Sequence, residues 1–280
     1  MPETKNNNIA YHYCSLETFK SIIENQCFWL CDVQKSNDSA ELIYFYDRMI
    51  ETLDKMIDPS EHDTPQYDKD ALQQMKNALQ NTEFNTVPVY SCSFSTDEDL
   101  LSQWRGYADD GFGVAIGIDC SVFLKLIKPF VDIRSVQYGD AIAHKTCKKM
   151  IEETFSLTDH LLDPEAVRPH AIRQFVFLNQ AFYKSFAFQE EKERRIVLQQ
   201  ENKMLVSHLP YLSERKYRIT HHQLASYHEL RFGTIKDDLL CKIILGPKCQ
   251  AKPDDIRMFL RDCGYQAGNI DIVPSEATYR

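Results

Sequence analysis

Charged side chains of both signs stand together at residues 191–195, whose sequence is Glu-Lys-Glu-Arg-Arg, directly before the apolar run at 196–198. If this segment is a strand, Glu191, Glu193 and Arg195 project from one face, with about 7 Å between successive side chains. Such a group at the entrance to a buried strand costs stability unless it is paired or used in chemistry. Paired carboxylates suit acid–base work. The structural alternative is a solvated edge strand with an internal ion pair.

The segment Ser-Gln-Trp-Arg-Gly-Tyr at 102–107 holds a second group of candidates. The planar guanidinium of Arg105 suits a pyrophosphate, and the ring of Tyr107 suits a flat base or nicotinamide. Gly106 would let the backbone turn sharply beside them. Trp104 falls on the same helical stripe as apolar neighbours, which favours a place in the core.

His12 lies on a predicted strand between two tyrosines, Tyr11 and Tyr13, which point the opposite way. A lone histidine of this kind is most often structural, with its ring satisfied by a backbone carbonyl. The functional interpretation is a rigid donor or acceptor at a sheet edge that holds a ribose hydroxyl.

Asn37, Asp38 and Glu41 cluster where a strand is predicted to pass into a helix. They could form part of a site. A helix N-cap followed by favourable acids in the first turn, worth about 1 kcal/mol, explains them equally well.

Three other patterns are weaker signals. The glycines at 111, 113 and 117 enter a predicted strand instead of opening a helix, so they are not a dinucleotide fingerprint. Glu190 and Lys192 could serve a metal-dependent nuclease together with Asp119. Three further histidines have no accompanying cysteine pattern and are expected to face solvent: His221, His222 and His228.

The periodicity of the chain predicts short strands between helices. Residues 11–15 and 27–31 are expected strands around a helix that Ser15 caps. Residues 87–95 predict another strand, and the run from Ser95 to Glu98 matches a capping box that opens the next helix. Later strands are expected at 114–118, 191–198, 241–245 and 270–273, and a helix at 253–263.

The irregular alternation of strands and helices favours an α+β fold over a doubly wound parallel sheet. We expect one domain over residues 1–280, with a helical insertion at about 40–82 and a helical segment at about 121–183 that is broken near Pro164 and Pro169.

The composition is that of a globular protein, with 43% hydrophobic and 26% charged residues among 280. Its apolar runs are too short to cross a bilayer and its first ten residues resemble no signal peptide, so we expect a soluble cytoplasmic protein without a membrane partner. The nine cysteines are scattered, which favours free thiols and no structural metal. A net charge of −9 argues against a protein that coats DNA.

The ordered set of motifs resembles a large bacterial family of unknown function, over roughly residues 9–246. The motifs are Tyr-His-Tyr at 11–13, Asn-Asp-x-x-Glu at 37–41, Ser-Cys-Ser-Phe-Ser at 91–95, Trp-x-x-Tyr at 104–107 and Glu-Lys-Glu-x-Arg at 191–195. One departure is Arg194, where an aromatic residue is expected. That family is in turn similar to the ADP-ribosyltransferases of the diphtheria-toxin, poly(ADP-ribose) polymerase and DNA-targeting toxin type.

The resemblance implies a split β-sheet core and NAD as co-substrate, without a metal. It implies that His12 holds the adenosine ribose, that Ser93 or Tyr107 flanks the nicotinamide, and that Glu193 is catalytic, with Glu191 as its partner. The remaining residues are expected to contact NAD or to support the site or the acceptor: Tyr13, Ser15 and Arg105 for NAD, and Asn37, Asp38, Glu41, Trp104 and Arg195 for support.

The expected reaction is transfer of ADP-ribose from NAD to a nucleic acid or protein. Cleavage of the nicotinamide–ribose bond develops an oxocarbenium-like cation, which a carboxylate bonded to the ribose 2-hydroxyl stabilises. A second carboxylate can position or deprotonate the acceptor. The chain would then be a toxin or an antiphage effector, with RNA as one acceptor and an antitoxin as a possible partner. The alternatives are a non-enzymatic binding module and the metal-dependent nuclease.

Overall fold

The computed structural model describes residues 8–35, 41–58, 67–82, 88–127, 131–199, 209–220 and 222–279. Over these residues the fold is a mixture of helices and a large mixed sheet, which confirms the predicted α+β class. The chain divides into two compact units. A sheet unit comprises residues 1–32, 90–135 and 190–280, and a helical unit comprises residues 33–89 and 136–189.

The described elements follow one another along the chain in an irregular order. The strands are β1 (Ile9–Cys14), β2 (Cys27–Asp32), β3 (Val89–Ser95), β4 (Val114–Asp119), β5 (Val131–Ser135), β6 (Gln137–Tyr138), β7 (Tyr183–Lys184), β8 (Glu193–Gln199), β9 (Lys216–Thr220), β10 (Gln223–Arg231), β11 (Leu240–Leu245) and β12 (Asp271–Pro274). The helices are α1 (Leu16–Asn25), α2 (Glu41–Ile57), α3 (Lys69–Gln80), α4 (Leu101–Tyr107), α5 (Cys120–Ile127), α6 (Asp140–Thr158), α7 (Pro164–Asn179), α8 (Lys236–Leu239) and α9 (Pro253–Asp262).

The main sheet has the strand order β12-β11-β4-β1-β3-β2-β10-β9, and β8 joins it by pairing with both β3 and β5. β11 and β12 run parallel, whereas β1 pairs with β4, and β2 with β10, in antiparallel registers. The centre of the sheet is narrow, because the ladder between β1 and β3 contains the single pair Tyr11–Ser95. β1 is hydrogen-bonded to β4 on one side, and β3 is hydrogen-bonded to β2 on the other. The sheet therefore opens between β1 and β3.

The sheet has two faces with different coverings. Side chains of α1, α5 and α9, such as Phe19, Phe123 and Leu260, pack on one face in the main hydrophobic cluster, together with Phe28 and Ile116. We call this the core face. On the opposite face Trp104 of α4 packs against a smaller cluster, and we call it the α4 face. The strand residues of that cluster are Tyr11, Tyr13, Ala115 and Ile244.

Antiparallel registers assign the remaining strands to these faces, since directly paired residues share a face and neighbours alternate. On β8, Ile196 and Leu198 belong to the main cluster, so Glu193 and Arg195 lie on the α4 face. On β3, Phe94 belongs to the same cluster, so Ser93 also lies on the α4 face.

The helical unit contains α2, α3, α6 and α7, which pack on one another, and the small parallel pair β6–β7. Helices therefore occupy much of both stretches that the sequence marks as helical. β5 and β6 interrupt the second stretch, and Pro164 begins α7 while Pro169 lies inside it, so the predicted break at Pro169 is wrong. The single-domain assignment stays a prediction. No helix within the described ranges is long and apolar enough to span a bilayer.

The opening strand–helix–strand is confirmed. Ser15 caps α1, because its Oγ accepts a hydrogen bond from the backbone N–H of Thr18 at 3.1 Å. The hairpin of β9 and β10 was not predicted from the sequence. Its residues carry many charged and polar side chains, as in Lys-Tyr-Arg-Ile-Thr, because much of this edge hairpin is exposed.

Candidate functional site

The loop between β3 and α4 begins at Ser95, and it is not the predicted capping box. α4 begins at Leu101, and its N-cap Leu100 makes no side-chain capping bond. Ser95 instead accepts from the backbone N–H of Asp97 at 3.1 Å and donates to the backbone carbonyl of Glu191 at 3.0 Å. The serine therefore joins β3 to the segment that precedes β8.

Lys192 separates the two glutamates of the acidic motif. Its φ of 46° is in the left-handed region, which is uncommon for a residue with a side chain. Glu191 closes a 3-10 turn, Phe186–Glu191, and β8 begins only at Glu193. The prediction that both glutamates belong to one strand is therefore wrong, because Glu191 ends the turn and the left-handed Lys192 separates it from the start of β8.

Contacts with the β3–α4 loop hold Lys192 in this conformation. Its carbonyl accepts from the backbone N–H of Thr96 at 2.9 Å, and its Nζ donates to Asp97 Oδ2 at 2.8 Å. Burial opposes ionisation of Asp97, but the hydrogen bonds from Lys192 and from the backbone outweigh it and lower the pKa of this carboxyl. The ion pair thus persists at neutral pH.

Glu191 and Tyr107 come together on the α4 face. The Tyr107 hydroxyl donates to Glu191 Oε1 at 3.2 Å, although 84 residues separate them in the chain. Tyr107 is 56% exposed and Glu191 is half-buried, so a ligand in solvent can reach both. Ser93, two residues before the Ser95 that binds the Glu191 backbone, is exposed on the same face.

Glu193 and Arg195 form a buried ion pair on β8. Arg195 Nε donates to Glu193 Oε1 at 2.5 Å and its Nη2 donates to Oε2 at 3.0 Å, and the side chains are 6% and 3% exposed. A bidentate pair of this geometry satisfies both oxygens of the carboxylate. The predicted internal ion pair is present, but it is buried and does not lie on a solvated edge.

His12 lies on the core face and is not brought together with Glu193. Its ring contacts Phe28 and Phe94 edge-on, with centroids 5.5 and 5.4 Å away. Nδ1 is 3.0 Å from the carbonyl oxygen of Ser93, and because a carbonyl only accepts, Nδ1 carries the proton. Desolvation lowers the pKa of His12 despite this hydrogen bond. A neutral imidazole therefore bridges the opening between β1 and β3.

Tyr13 and Trp104 support the loop from within the α4 face. The Tyr13 hydroxyl donates to the carbonyl of Asp97 at 2.9 Å and accepts from the backbone N–H of Leu100 at 3.0 Å. The Trp104 ring is fully buried, lies edge-on to Tyr13 at 4.7 Å and donates from Nε1 to Asp99 at 2.6 Å. Trp104 is thus a core residue, as its helical stripe indicated.

Arg105 lies against the end of the chain. Its guanidinium is 4.6 Å from the ring centroid of Tyr279, whose hydroxyl donates to Asp110 at 2.6 Å. Gly106 is inside α4, where it makes no sharp turn, which corrects the expectation for that glycine. Neither Arg105 nor the α1 cap Ser15 contacts the Glu191–Tyr107 pair.

The predicted cluster at 37–41 cannot be placed in the site. Asn37 and Asp38 lie outside the described residues. Glu41 is the first residue of α2 in the helical unit, and its side chain is also outside them.

The nuclease residues and the later histidines are placed differently from the expectations. The Asp119 carboxylate binds the backbone N–H and the hydroxyl of Ser121, whereas Lys192 binds Asp97.

His228 is 2% exposed, so the expectation that it faces solvent is wrong: its Nδ1 lies 2.8 Å from the carbonyl of Ser213 and its ring stands edge-on to Tyr90. His222 is exposed, and His221 lies outside the described residues.

The sequence does not reveal the residues that organise the site. Asp97 and Lys192 belong to other motifs in the sequence, and their long-range pairing leaves no local signal. The sequence analysis did not single out Trp29 of β2, which is 36% exposed on the α4 face. The described side chains contain no group of three or more histidine, cysteine, aspartate or glutamate residues that could hold a metal, and all nine cysteines are free thiols.

Part of the chain matches a known family model. A family model described as "Protein of unknown function (DUF2971)" matches residues 103–196, which run from α4 through the helical unit to β8 and include Tyr107, Glu191, Glu193 and Arg195. No curated protein matches the chain. No solved structure matches it either. The chain is therefore similar, over a third of its length, to a family whose function is unknown.

Proposed function

We propose that this chain is an NAD-dependent ADP-ribosyltransferase whose site lies on the α4 face, around Glu191, Tyr107 and Ser93. The observation that carries the proposal is the approach of the Tyr107 hydroxyl to the Glu191 carboxylate at 3.2 Å, with both groups accessible to a ligand. A carboxylate oriented by a phenol, beside an exposed aromatic ring and a serine, suits a flat base joined to a ribose.

Glu191 would be the carboxylate that hydrogen-bonds the ribose 2-hydroxyl as positive charge develops at the anomeric carbon. We do not assign this role to Glu193, because both of its oxygens accept hydrogen bonds from Arg195 in a buried pair. In the proposal Glu193 and Arg195 fix the start of β8, while Lys192 and Asp97 hold the turn that presents Glu191. Tyr107 would flank the nicotinamide.

The proposal includes the transferase-type fold. Its support is the opening of the sheet between β1 and β3, where a single residue pair joins the two halves. The site residues lie close to this opening, because Ser95 belongs to that pair and its hydroxyl binds the backbone of Glu191.

The proposal departs from the resemblance at His12. The imidazole is directed to the core face and holds the carbonyl of Ser93, so we assign it no contact with NAD. Its role is to join the two halves of the sheet behind the site.

Release of nicotinamide from NAD by the purified protein tests the proposal. Glu191→Gln keeps the size of the side chain and removes its charge, so we expect the rate to fall at least about 100-fold with little change in NAD affinity. Glu190→Gln is the matched control, because Glu190 is the exposed neighbour in the same turn and should leave the rate unchanged. EDTA should also have no effect, whereas a metal-dependent nuclease would lose activity.

Unchanged nicotinamide release in Glu191→Gln would overturn the assignment of this glutamate. Failure of the parent protein to consume NAD, in the presence of total cellular RNA, DNA and protein as acceptors, would overturn the proposed activity itself.

A further inference from the structure

An aromatic and basic surface lies beside the proposed site on the sheet. Trp29 of β2 stacks on Tyr227 of β10, with ring centroids 4.3 Å apart and 29° between the planes. The guanidinium of Arg218 on β9 lies over the Trp29 ring, 5.5 Å from its centroid. Trp29 is still 36% exposed. We call these three side chains the Trp29 platform.

The registers place the platform on the α4 face. Cys31 of β2 pairs with Ser91 of β3 and with Tyr227 of β10. Two residues further along, the next positions on the same face of β2 and β3 are Trp29 and Ser93. The platform therefore begins on the strand next to Ser93, and it extends to β9 at the edge of the sheet.

The charge of this surface differs from that of the whole chain. Lys216 and Arg231 share one carboxylate, Glu229, at 2.6 and 3.3 Å. Arg218 has no carboxylate partner among the described side chains, and its buried Nε has no hydrogen-bond partner there. Among the described side chains, this face of β9 and β10 thus carries three cations and one anion, although the net charge of the chain is −9.

A guanidinium without a carboxylate, placed over an exposed aromatic ring, matches the chemistry of an unpaired nucleobase and its phosphate. Bases that are not paired stack on aromatic rings and on guanidinium planes, and the cations bind the backbone. A duplex cannot use such a platform without opening, because its bases are already stacked. An acidic peptide could use the cations but not the stacking surface.

We propose that the Trp29 platform binds single-stranded nucleic acid and that this strand is the acceptor of the ADP-ribose. The second part rests on the proposed function. In the transfer, the bond between the ribose anomeric carbon and nicotinamide breaks and nicotinamide leaves with the electron pair. A nucleophilic nitrogen or oxygen of the strand bonds to that carbon and loses its proton, which Glu191 can accept.

Tryptophan fluorescence tests the binding directly, because the chain has two tryptophans and Trp104 is fully buried. A single-stranded RNA of about 12 nucleotides should quench the exposed Trp29, and Trp29→Ala should abolish the quenching. In a binding assay with a labelled strand, Trp29→Ala should weaken the Kd roughly 5- to 100-fold. Arg218→Gln should also lower the slope of log K against log salt by about 0.7.

Tyr217→Ser is the matched control. Tyr217 neighbours Arg218 on β9 and is 58% exposed, but it pairs with Ser226 and so lies on the opposite face. Its replacement should leave the Kd unchanged. The same titration is repeated with a DNA strand of the same sequence, a duplex of the same length and a polyglutamate peptide. We expect the RNA and DNA single strands to quench Trp29 fluorescence, and the duplex and the peptide to leave it unchanged.

The platform proposal is overturned if neither single strand binds, if the duplex or the polyglutamate binds as tightly, or if Tyr217→Ser weakens binding as much as Trp29→Ala does. These results are independent of catalysis. If the protein binds the strand but does not consume NAD, the proposed function is wrong and the platform proposal stands. If it consumes NAD but does not bind the strand, the platform proposal is wrong and the proposed function stands.

Discussion

The acidic motif contains two glutamates with different environments, although they are two residues apart in the chain. Lys192, which has left-handed backbone angles, lies between them. Before it, Glu191 is accessible to solvent and accepts a hydrogen bond from Tyr107. After it, β8 begins at Glu193, which is buried against Arg195. The chemical role and the structural role are therefore assigned to different carboxylates.

The structural role of Glu193 predicts a large stability effect. Glu193→Gln removes the negative charge that is bonded to the buried Arg195 guanidinium, and we expect a loss of about 3–5 kcal/mol in the free energy of unfolding. The double variant Glu193→Leu with Arg195→Met removes both charges. Its free energy of unfolding should fall less than that of either single variant that breaks the pair. Urea denaturation measures all of them.

Glu191→Gln is the comparison for these variants. Because Glu191 is only half-buried, its replacement should cost under about 1 kcal/mol. Equal destabilisation by Glu191→Gln and Glu193→Gln, or additive losses in the double variant, would contradict this division of roles.

Single residues could be predicted from the sequence when their role is local. The cap at Ser15 and the core position of Trp104 follow from the residues three or four positions away. The orientation of His12 toward the core was not predictable, because it depends on which face of β1 the helices cover. Alternation shows that His12 and its neighbouring tyrosines point opposite ways, but not which of them points to the core.

At the scale of elements, the β3–α4 loop is held by β1 and by the last residues of the chain. Tyr11 and Tyr13 of β1 bind it through Glu98 and through the backbone of Asp97 and Leu100. The chain end adds further bonds, because the Asp99 carboxylate accepts from Ser275, Glu276 and Ala277. These contacts fix the position of α4 and hence of Tyr107.

The approach of α4 to β1 and β4 depends on a glycine. A Cβ on Gly113 would collide with the backbone carbonyl of Cys14 and would lie 2.9 Å from that of Ala108, and neither backbone can move freely. We expect Gly113→Ala to destabilise the protein by about 2 kcal/mol or more. Thermal unfolding followed by circular dichroism measures the effect.

Gly106 provides the matched control for this substitution. It lies inside α4, and a Cβ added there would meet no other atom within 4 Å, so Gly106→Ala should stabilise the helix by about 0.5–1 kcal/mol. A tolerated Gly113→Ala, or a strongly destabilising Gly106→Ala, would show that α4 does not pack as described.

Elements with strong periodicity were predicted well, and those fixed by tertiary contacts were not. α1 and α9 have apolar residues at helical spacing, so their places follow from the sequence. The run from Ser95 to Glu98 fits a capping box locally, but bonds to Glu191 and to β1 override it. The predicted start of β8 is two residues early, because nothing in the sequence reveals the left-handed turn at Lys192.

At the scale of the molecule, the main hydrophobic cluster and the proposed site lie on opposite faces of the sheet. The core face contains the main hydrophobic cluster and His12, and the α4 face contains the Glu191–Tyr107 pair, Ser93 and the Trp29 platform. The sequence predicted the α+β class from the order of its elements. It could not predict which candidate residues share a face, because that depends on the pairing of strands far apart in the chain.

Hydrogen exchange with and without NAD tests the central claim most directly, since it reports which face binds the dinucleotide. In the Glu191→Gln protein, where NAD should bind without being consumed, we predict slower exchange in residues 93–107 and 188–193, with no change in α1 and α9 on the core face. Slower exchange in α1 or α9, or no change at saturating NAD, would contradict the account.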